Sequence, residues 1–329
     1  MLPVFNQLQY KMPCFMKILQ LKRPIGNIWL RTLIPFISIA IIVFAGCKKE
    51  SSNGSTASQQ EEFASATSDA DAEAEFTFDD VFDNVMGVNS EVAIGGTGVF
   101  GRMIETNAGP GTNDNKVAGT DSLPPCFTVT ITQLSTANRF PLRAVIDFGS
   151  GCTGRDGRTR RGKITVTYSG RMILPGSSAS TTFDGYFIND TKVEGTHTIT
   201  NTSTQAVKSF TIEVANAKLT HSDGSFLEWN STRTISQTDG MLTAIPLDDV
   251  FNLTGHANGI VEKDNKLFEW STAITSPLVK RFACHWIVKG TVNIQKGNAA
   301  IAVLDYGTGD CDNKASFTVN GVVHEITLH

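Results

Sequence analysis

The chain has 329 residues, 40% hydrophobic and 18% charged, which is typical of a globular protein with one large or two ordinary domains. Its 28 basic and 32 acidic residues give a formal net charge of −4. Five basic and no acidic residues lie within residues 1–47, so 28 − 5 = 23 basic residues face 32 acidic ones in the remainder, a net charge of −9. This balance argues against binding nucleic acid or anionic lipid through charge.

The first 47 residues have the composition of an export signal. Basic residues precede an apolar run at positions 33–44, and the small residues Ala45-Gly46 then precede Cys47. The run is short for a membrane span and suits a cleaved signal peptide. Small residues directly before a cysteine resemble the lipobox of bacterial lipoproteins, which implies that Cys47 is lipidated and begins the mature chain. An uncleaved N-terminal anchor is the alternative.

Residues 48–75 are polar, acidic and rich in Ser and Ala, with no Lys or Arg between Lys49 and Arg102. We predict a disordered tether here, because such a stretch has little apolar surface to bury. For residues 76–120 we predict a short helix followed by a loop. Thr77-Phe78-Asp79-Asp80 is typical of a helix start and Gly87 of a helix end. The apolar side of this helix, expected to dock on the following domain or on a partner, consists of Phe78, Val81, Phe82, Val85 and Met86.

Two similar stretches carry the cysteines of the remaining chain. Residues 144–152 and 302–311 each run from an apolar strand into an Asp, an aromatic residue, two glycines and a cysteine. Each has another cysteine about 26 residues upstream. Equivalent positions favour the disulfides Cys126–Cys152 and Cys284–Cys311 in an oxidising compartment, each stabilising by about 3 kcal/mol. Pairing across the repeats and free thiols are the alternatives.

Residues 121–329 are predicted to form an all-β domain with an internal pseudo-repeat. From Cys126 onward, apolar and polar residues alternate, as in the Thr-rich runs after Phe127 and Ile164. Turn signals such as Asp156-Gly157 and Asn320-Gly321 recur at short intervals. The pattern predicts about a dozen antiparallel strands, arranged as a β-sandwich or a barrel-like meander, with one short N-terminal helix.

Two aromatic residues suggest a glycan-binding site. Trp229 and Trp270 occupy matching positions in similar stretches, and paired aromatics on a sheet can stack sugars. Their parity along the strands places each with apolar neighbours, so core packing is the favoured interpretation. Glu228 and Glu269 would then point outwards, where they could serve as the carboxylate pair of a glycoside hydrolase.

A weak metal site is suggested by Asp305, Asp310 and Asp312, since oxygen ligands in a Gly-rich loop suit calcium. Turn and capping roles are the favoured alternative for these residues. The six histidines lack metal-ligand spacing, and no nucleophile elbow is present. We therefore predict no cofactor and no catalytic residue.

One cluster of basic residues follows the leader. It consists of Arg155, Arg158, Arg160 and Arg161. The cluster could bind a sulfated or acidic glycan, or the protein's own acidic tether, or it could be a solvated loop.

As a whole, the chain resembles the exported lipoproteins of Bacteroidota. The resemblance rests on the leader through Cys47, on residues 147–152 with Asp156-Gly157-Arg158, and on residues 305–309. It implies location and disulfides, and no activity. We expect a non-catalytic lipoprotein of the cell envelope with a structural or binding role. Its lipid would anchor it to the outer membrane, on either the periplasmic or the outward side. An envelope protein or a glycan would be its partner. A carbohydrate-binding module and a glycoside hydrolase-like enzyme are the alternatives.

Overall fold

The computed structural model describes residues 56–88, 92, 126–154, 156–240, 248–281, 283–284 and 286–328. These residues form one α-helix and fourteen β-strands, so the predicted all-β antiparallel class is confirmed. The leader, the predicted lipidation site Cys47 and most of the predicted loop before residue 120 lie outside the described residues.

The strands follow one another along the chain with short connections. They are β1 Thr128–Gln133, β2 Leu142–Asp147, β3 Cys152–Thr153, β4 Thr159–Tyr168, β5 Ser178–Ile188, β6 Thr191–Asn201, β7 Ser209–Thr220, β8 Phe226–Asp239, β9 Val250–Lys263, β10 Lys266–Arg281, β11 Ile287–Lys296, β12 Ala299–Thr308, β13 Lys314–Val319 and β14 Val322–Thr327. Every strand pairs antiparallel with its neighbours in a single sheet, and the short β3 pairs only with β4. Within the described residues, β1 and β14 end the strand order and do not pair with each other.

The stretch predicted as tether and short helix is one long helix, α1, Ala57–Met86. A capping box begins it: the Thr56 hydroxyl accepts from the Gln59 N–H at 3.3 Å, and the Gln59 side chain accepts from the Thr56 N–H at 2.9 Å. The helix ends at Gly87, as predicted. The prediction of a disordered tether is wrong from residue 57 onward. The start at Thr77 is also wrong, since that residue lies inside the helix.

The helix lies inside the curled sheet rather than against one face of it. Eighteen of its 30 residues are buried, and they occur on all sides of the helix. The predicted apolar side, from Phe78 to Met86, is buried as expected. Side chains from β4 through β14 contact the helix around its circumference. The sheet and the helix therefore share one hydrophobic core, in which the helix takes the central position.

Glycines inside the strands allow the sheet to curl. Gly162 has φ +81°, and a Cβ at this position would lie 1.9 Å from the carbonyl oxygen of Gly185. Gly195 has φ +115° and coincides with a register shift between β6 and β7. A bulge at such a position bends the strand and increases its twist.

The helix of the described residues lacks the long apolar stretch that a membrane span requires.

Candidate functional site: the ion-paired helix inside the sheet

Four acidic residues of α1 recur every fourth position and therefore share one side of the helix. We call Asp71, Glu75, Asp79 and Asp83 the acidic row. Like charges four residues apart repel one another and destabilise an isolated helix. Burial would raise that cost greatly without partners of opposite charge. The sheet supplies these partners from strands that are far away in the sequence.

Lys280 of β10 binds the C-terminal half of the acidic row. Its Nζ lies 2.6 Å from Oδ1 of Asp79 and 2.9 Å from Oδ1 of Asp83. The pKa of Asp83 is raised to about 6, because burial, together with the nearby charge of Asp79, outweighs the opposing attraction of Lys280. Burial disfavours the charged Lys280, but the two carboxylates more than offset this and raise its pKa.

Arg233 of β8 binds the next acid of the row. Its Nε donates to Oε2 of Glu75 at 2.9 Å, and its Nη2 lies 2.8 Å from the same oxygen. Burial raises the pKa of Glu75, and Arg233 opposes that shift. Asp71 accepts from the indole N–H of Trp229 at 3.1 Å and from the hydroxyl of Thr272 at 3.3 Å. Groups from β8 and β10 thus hold the N-terminal half of the row.

Asp80 lies beside the acidic row and contacts Arg160 of β4, a strand nearer the β1 edge of the sheet than β8 and β10. Its Oδ2 accepts from Nε of Arg160 at 3.1 Å, and its Oδ1 also contacts the Nη2 of that guanidinium. The Arg160 side chain is 1% exposed, and it also donates to Asp156 at 3.1 Å. Arg158 lies 3.4 Å from Asp80 Oδ1, with its guanidinium 3.4 Å from the centroid of the Phe76 ring. Two members of the predicted basic cluster therefore bind the acidic helix.

His197 of β6 is fully buried against the same helix. Its ring stacks on Phe78 with centroids 6.1 Å apart, and neither ring nitrogen has a hydrogen-bond partner within the described part of the chain. Burial lowers the pKa of His197 to about 3. The histidine is therefore a neutral core residue at the pH of most cells.

We expect His197 to destabilise the domain in acid. Unfolded chains bind a proton on this histidine below about pH 6.5, whereas the folded protein does not until about pH 3, so stability falls as pH decreases between these values. Between about pH 7 and pH 4, the wild type should lose about 3 kcal/mol more free energy of unfolding than His197→Leu. Urea unfolding at several pH values measures this difference. If the free energy of unfolding changed with pH in the same way for the two proteins, His197 would not be the buried neutral histidine described here.

The two tryptophans do not form a glycan-binding surface, so that prediction is wrong. Trp229 is 1% exposed and Trp270 2% exposed. They flank Gly259 on neighbouring strands, and a Cβ on that glycine would lie 2.5 Å from the Trp270 ring. Trp229 also stacks on Phe78 at 5.7 Å. Core packing, the interpretation favoured by strand parity, is what the structure shows.

Glu228 and Glu269 point outwards, as their parity predicts. Both are paired with Ile260 of the strand between them, so about two strand spacings, roughly 9–10 Å, separate their backbones. Both residues are exposed, and Glu228 lies 3.3 Å from Nζ of Lys218. A glycosidase needs one carboxyl held away from water beside the sugar. The observed arrangement does not favour a hydrolase.

The predicted calcium ligands do not form a metal site in the described residues. Asp305, Asp310 and Asp312 line a shallow depression of about 210 Å³ together with Lys314. Asp305 accepts from the Gly307 N–H at 2.9 Å, and Asp312 accepts from the Lys314 N–H at 3.0 Å. Asp305 and Asp312 therefore stabilise their own turns. No group of three or more His, Cys, Asp or Glu side chains in the described part of the chain could hold a metal ion.

Both predicted disulfides are present. Cys126 pairs with Cys152 and Cys284 pairs with Cys311. The similar stretches also share a turn: Asp147 accepts from the Gly149 N–H at 2.9 Å, the geometry that Asp305 repeats. The aromatic residues that follow, Phe148 and Tyr306, are both buried. The two cysteine-bearing stretches therefore repeat the same local structure.

The sequence pointed to Arg158 and Arg160 as possible partners of the acidic stretch, but it did not identify Arg233 and Lys280 as residues that hold the helix. Arg233 shares the strand parity of the buried Trp229, and Lys280 shares that of the buried Leu278, so alternation placed both on the inward face. A charged side chain in a strand is nevertheless normally assigned to solvent. The spacing of the acidic row was the available signal, because an i, i+4 series of acids among alanines is compatible with a helix. No protein-family model, no curated protein and no solved structure matches the chain.

Proposed function

We propose that this protein is an exported lipoprotein of the cell envelope, anchored through lipid on Cys47, whose folded domain has a non-catalytic structural role. The leader and its terminal cysteine support export and lipidation. The two disulfides suit an oxidising compartment. The buried acids, cations, histidine and tryptophans of the domain all serve the internal interface, which supports a structural role over catalysis.

The observation that carries the proposal is the position of α1. Only nine residues, 48–56, separate Cys47 from the start of the helix at Ala57. Nine residues span about 30 Å at most when fully extended. A chain attached to lipid at Cys47 would thus enter the core of the domain almost at once. Force on the anchor would then act on the most buried element of the fold, as suits a domain held firmly at a membrane.

Intact mass of the membrane-extracted protein, with and without reduction, tests this proposal. We expect a mature chain that begins at Cys47 and carries lipid, and a gain of about four hydrogens on reduction of its two disulfides. Cys47→Ser should abolish the lipid mass and release the protein from the membrane fraction or leave its leader attached. A mature wild-type chain without lipid in the soluble fraction would overturn the proposal.

A further inference from the structure

Exposed apolar side chains occur at the end of the domain where α1 begins. Leu267 is 66% exposed, Val323 63% and Val322 55%. Leu267 lies at the start of β10, directly after the β9–β10 turn, and the two valines follow the β13–β14 turn. We call these three residues the anchor-end apolar group.

Contacts made by neighbouring residues place this group around the first turns of the helix. Lys266, next to Leu267, forms an ion pair with Glu62. Phe268 packs edge-on against Phe63 with ring centroids 6.2 Å apart. His324, next to Val323, lies 3.5 Å from Glu61. Both turns therefore border the point at which the chain enters the domain.

The opposite end of the domain also exposes apolar residues. Ile173 is 48% exposed and Leu174 53% exposed, on the turn between β4 and β5. This turn lies near the helix C-terminus, because the neighbouring Met172 N–H donates to Val92 at 2.8 Å and Tyr168 donates to the Val85 carbonyl at 2.7 Å. A helix of 30 residues is about 45 Å long, so the two apolar groups are well separated.

We propose that the anchor-end apolar group rests on the lipid bilayer that holds the protein, an inference that depends on the proposed lipidation of Cys47. The nine-residue connection reaches about 30 Å at most, which keeps this end of the domain beside the membrane and the other end away from it. Leu and Val side chains at such a position enter the boundary between headgroups and acyl chains. The short connection also keeps their local concentration at the surface high.

The contact is apolar and independent of anionic lipid. Lys266 is paired with Glu62, and Lys263 lies 3.5 Å from Asp69. Lys296 is directed over the Phe63 ring at 5.2 Å. Because these cations already have partners on the helix, they add little attraction to acidic headgroups. Vesicles of pure phosphatidylcholine should therefore support the contact as well as vesicles that contain phosphatidylglycerol.

Fluorescent labels on the full lipidated protein test the proposal. Single variants Leu267→Cys, Val322→Cys and Val323→Cys are labelled with an environment-sensitive dye, reconstituted into phosphatidylcholine vesicles and exposed to doxyl-labelled lipid or aqueous iodide. Ile173→Cys and Leu174→Cys are matched controls of similar exposure. We expect lipid quenching at the three anchor-end positions and iodide quenching at the two controls. High salt, about 0.5 M, should change neither result.

Equal iodide quenching at both ends would overturn the proposal. The proposal would also be overturned if protection of the labels from iodide rose with protein density in the vesicles and was accompanied by energy transfer between labelled copies. That result would indicate contact between copies of the protein. Intact mass distinguishes these failures from failure of the proposed function. A chain with lipid on Cys47 whose labels stay in water contradicts the surface contact alone, whereas a chain without lipid contradicts the function.

Discussion

Asp80→Asn is expected to lower the free energy of unfolding by about 3–5 kcal/mol. The substitution keeps the shape of the side chain but removes the negative charge that Arg160 binds inside the core. A buried cation that loses its partner retains the cost of its dehydration, and Asp156 compensates only in part because it is already paired with the same guanidinium. Equilibrium unfolding in urea at neutral pH measures the change.

Asp69→Asn is the matched control for this experiment. Asp69 lies on the same helix and also faces a cation, Lys263, at 3.5 Å, but both side chains are 47% exposed. Exposed ion pairs contribute about 0–1 kcal/mol, so the control should lose less than that. Similar losses for Asp80→Asn and Asp69→Asn would contradict the burial of the Asp80–Arg160 pair.

Phe78→Ala is expected to cost about 3–5 kcal/mol of folding stability. The Phe78 ring contacts Phe183, His197 and Trp229, with centroids 5.7–6.3 Å apart. These partners belong to three different strands, so truncation leaves a cavity where the helix meets the middle of the sheet. Leu267→Ala, at a position that is 66% exposed, should change stability by less than about 0.5 kcal/mol. A negligible effect of Phe78→Ala would place the helix outside the core.

The fold of the β domain could be predicted because its determinants are local. Alternating residues identified the strands, and turn residues such as Asn320-Gly321 separated them. The parity of Trp229 and Trp270 correctly favoured the core over a sugar-binding face. Equivalent cysteines in the two similar stretches gave both disulfides.

The helix could not be predicted in full because its stability is not local. Residues 57–75 contain many Ser, Ala and acidic residues, a composition that a solvated tether shares. What makes the segment ordered is the set of partners that the sheet supplies to Asp71 and Glu75 from more than 150 residues away. The capping box at Thr56 and Gln59 was a local signal for the true start. The Thr77-Phe78-Asp79-Asp80 stretch matched the same pattern, and its apolar neighbours gave it more weight.

The ion pairs that Arg233 and Lys280 form with the helix could not be predicted from the sequence either. A Lys or Arg in a strand is normally placed on the solvent face. Alternation puts Arg233 on the side of Trp229 and Lys280 on the side of Leu278, but only the helix inside the curled sheet supplies the acids that these cations bind.

The Asp residues near Cys311 show the opposite case, in which a sequence pattern suggested a site that the structure does not form. Their spacing suggested ligands for calcium, whereas Asp305 and Asp312 accept hydrogen bonds from the backbone N–H groups of Gly307 and Lys314 in their own turns.

Hydrogen exchange of the disulfide-intact, lipidated protein tests the central claim that α1 is the core of the domain. We expect the amides of the buried part of the helix, from Phe63 to Met86, to be protected as strongly as those of β8 and β10, since all of them open only with global unfolding. Exchange of this segment at the rate of an unstructured peptide, while the strands stay protected, would contradict the claim. It would support the disordered tether that the sequence predicts.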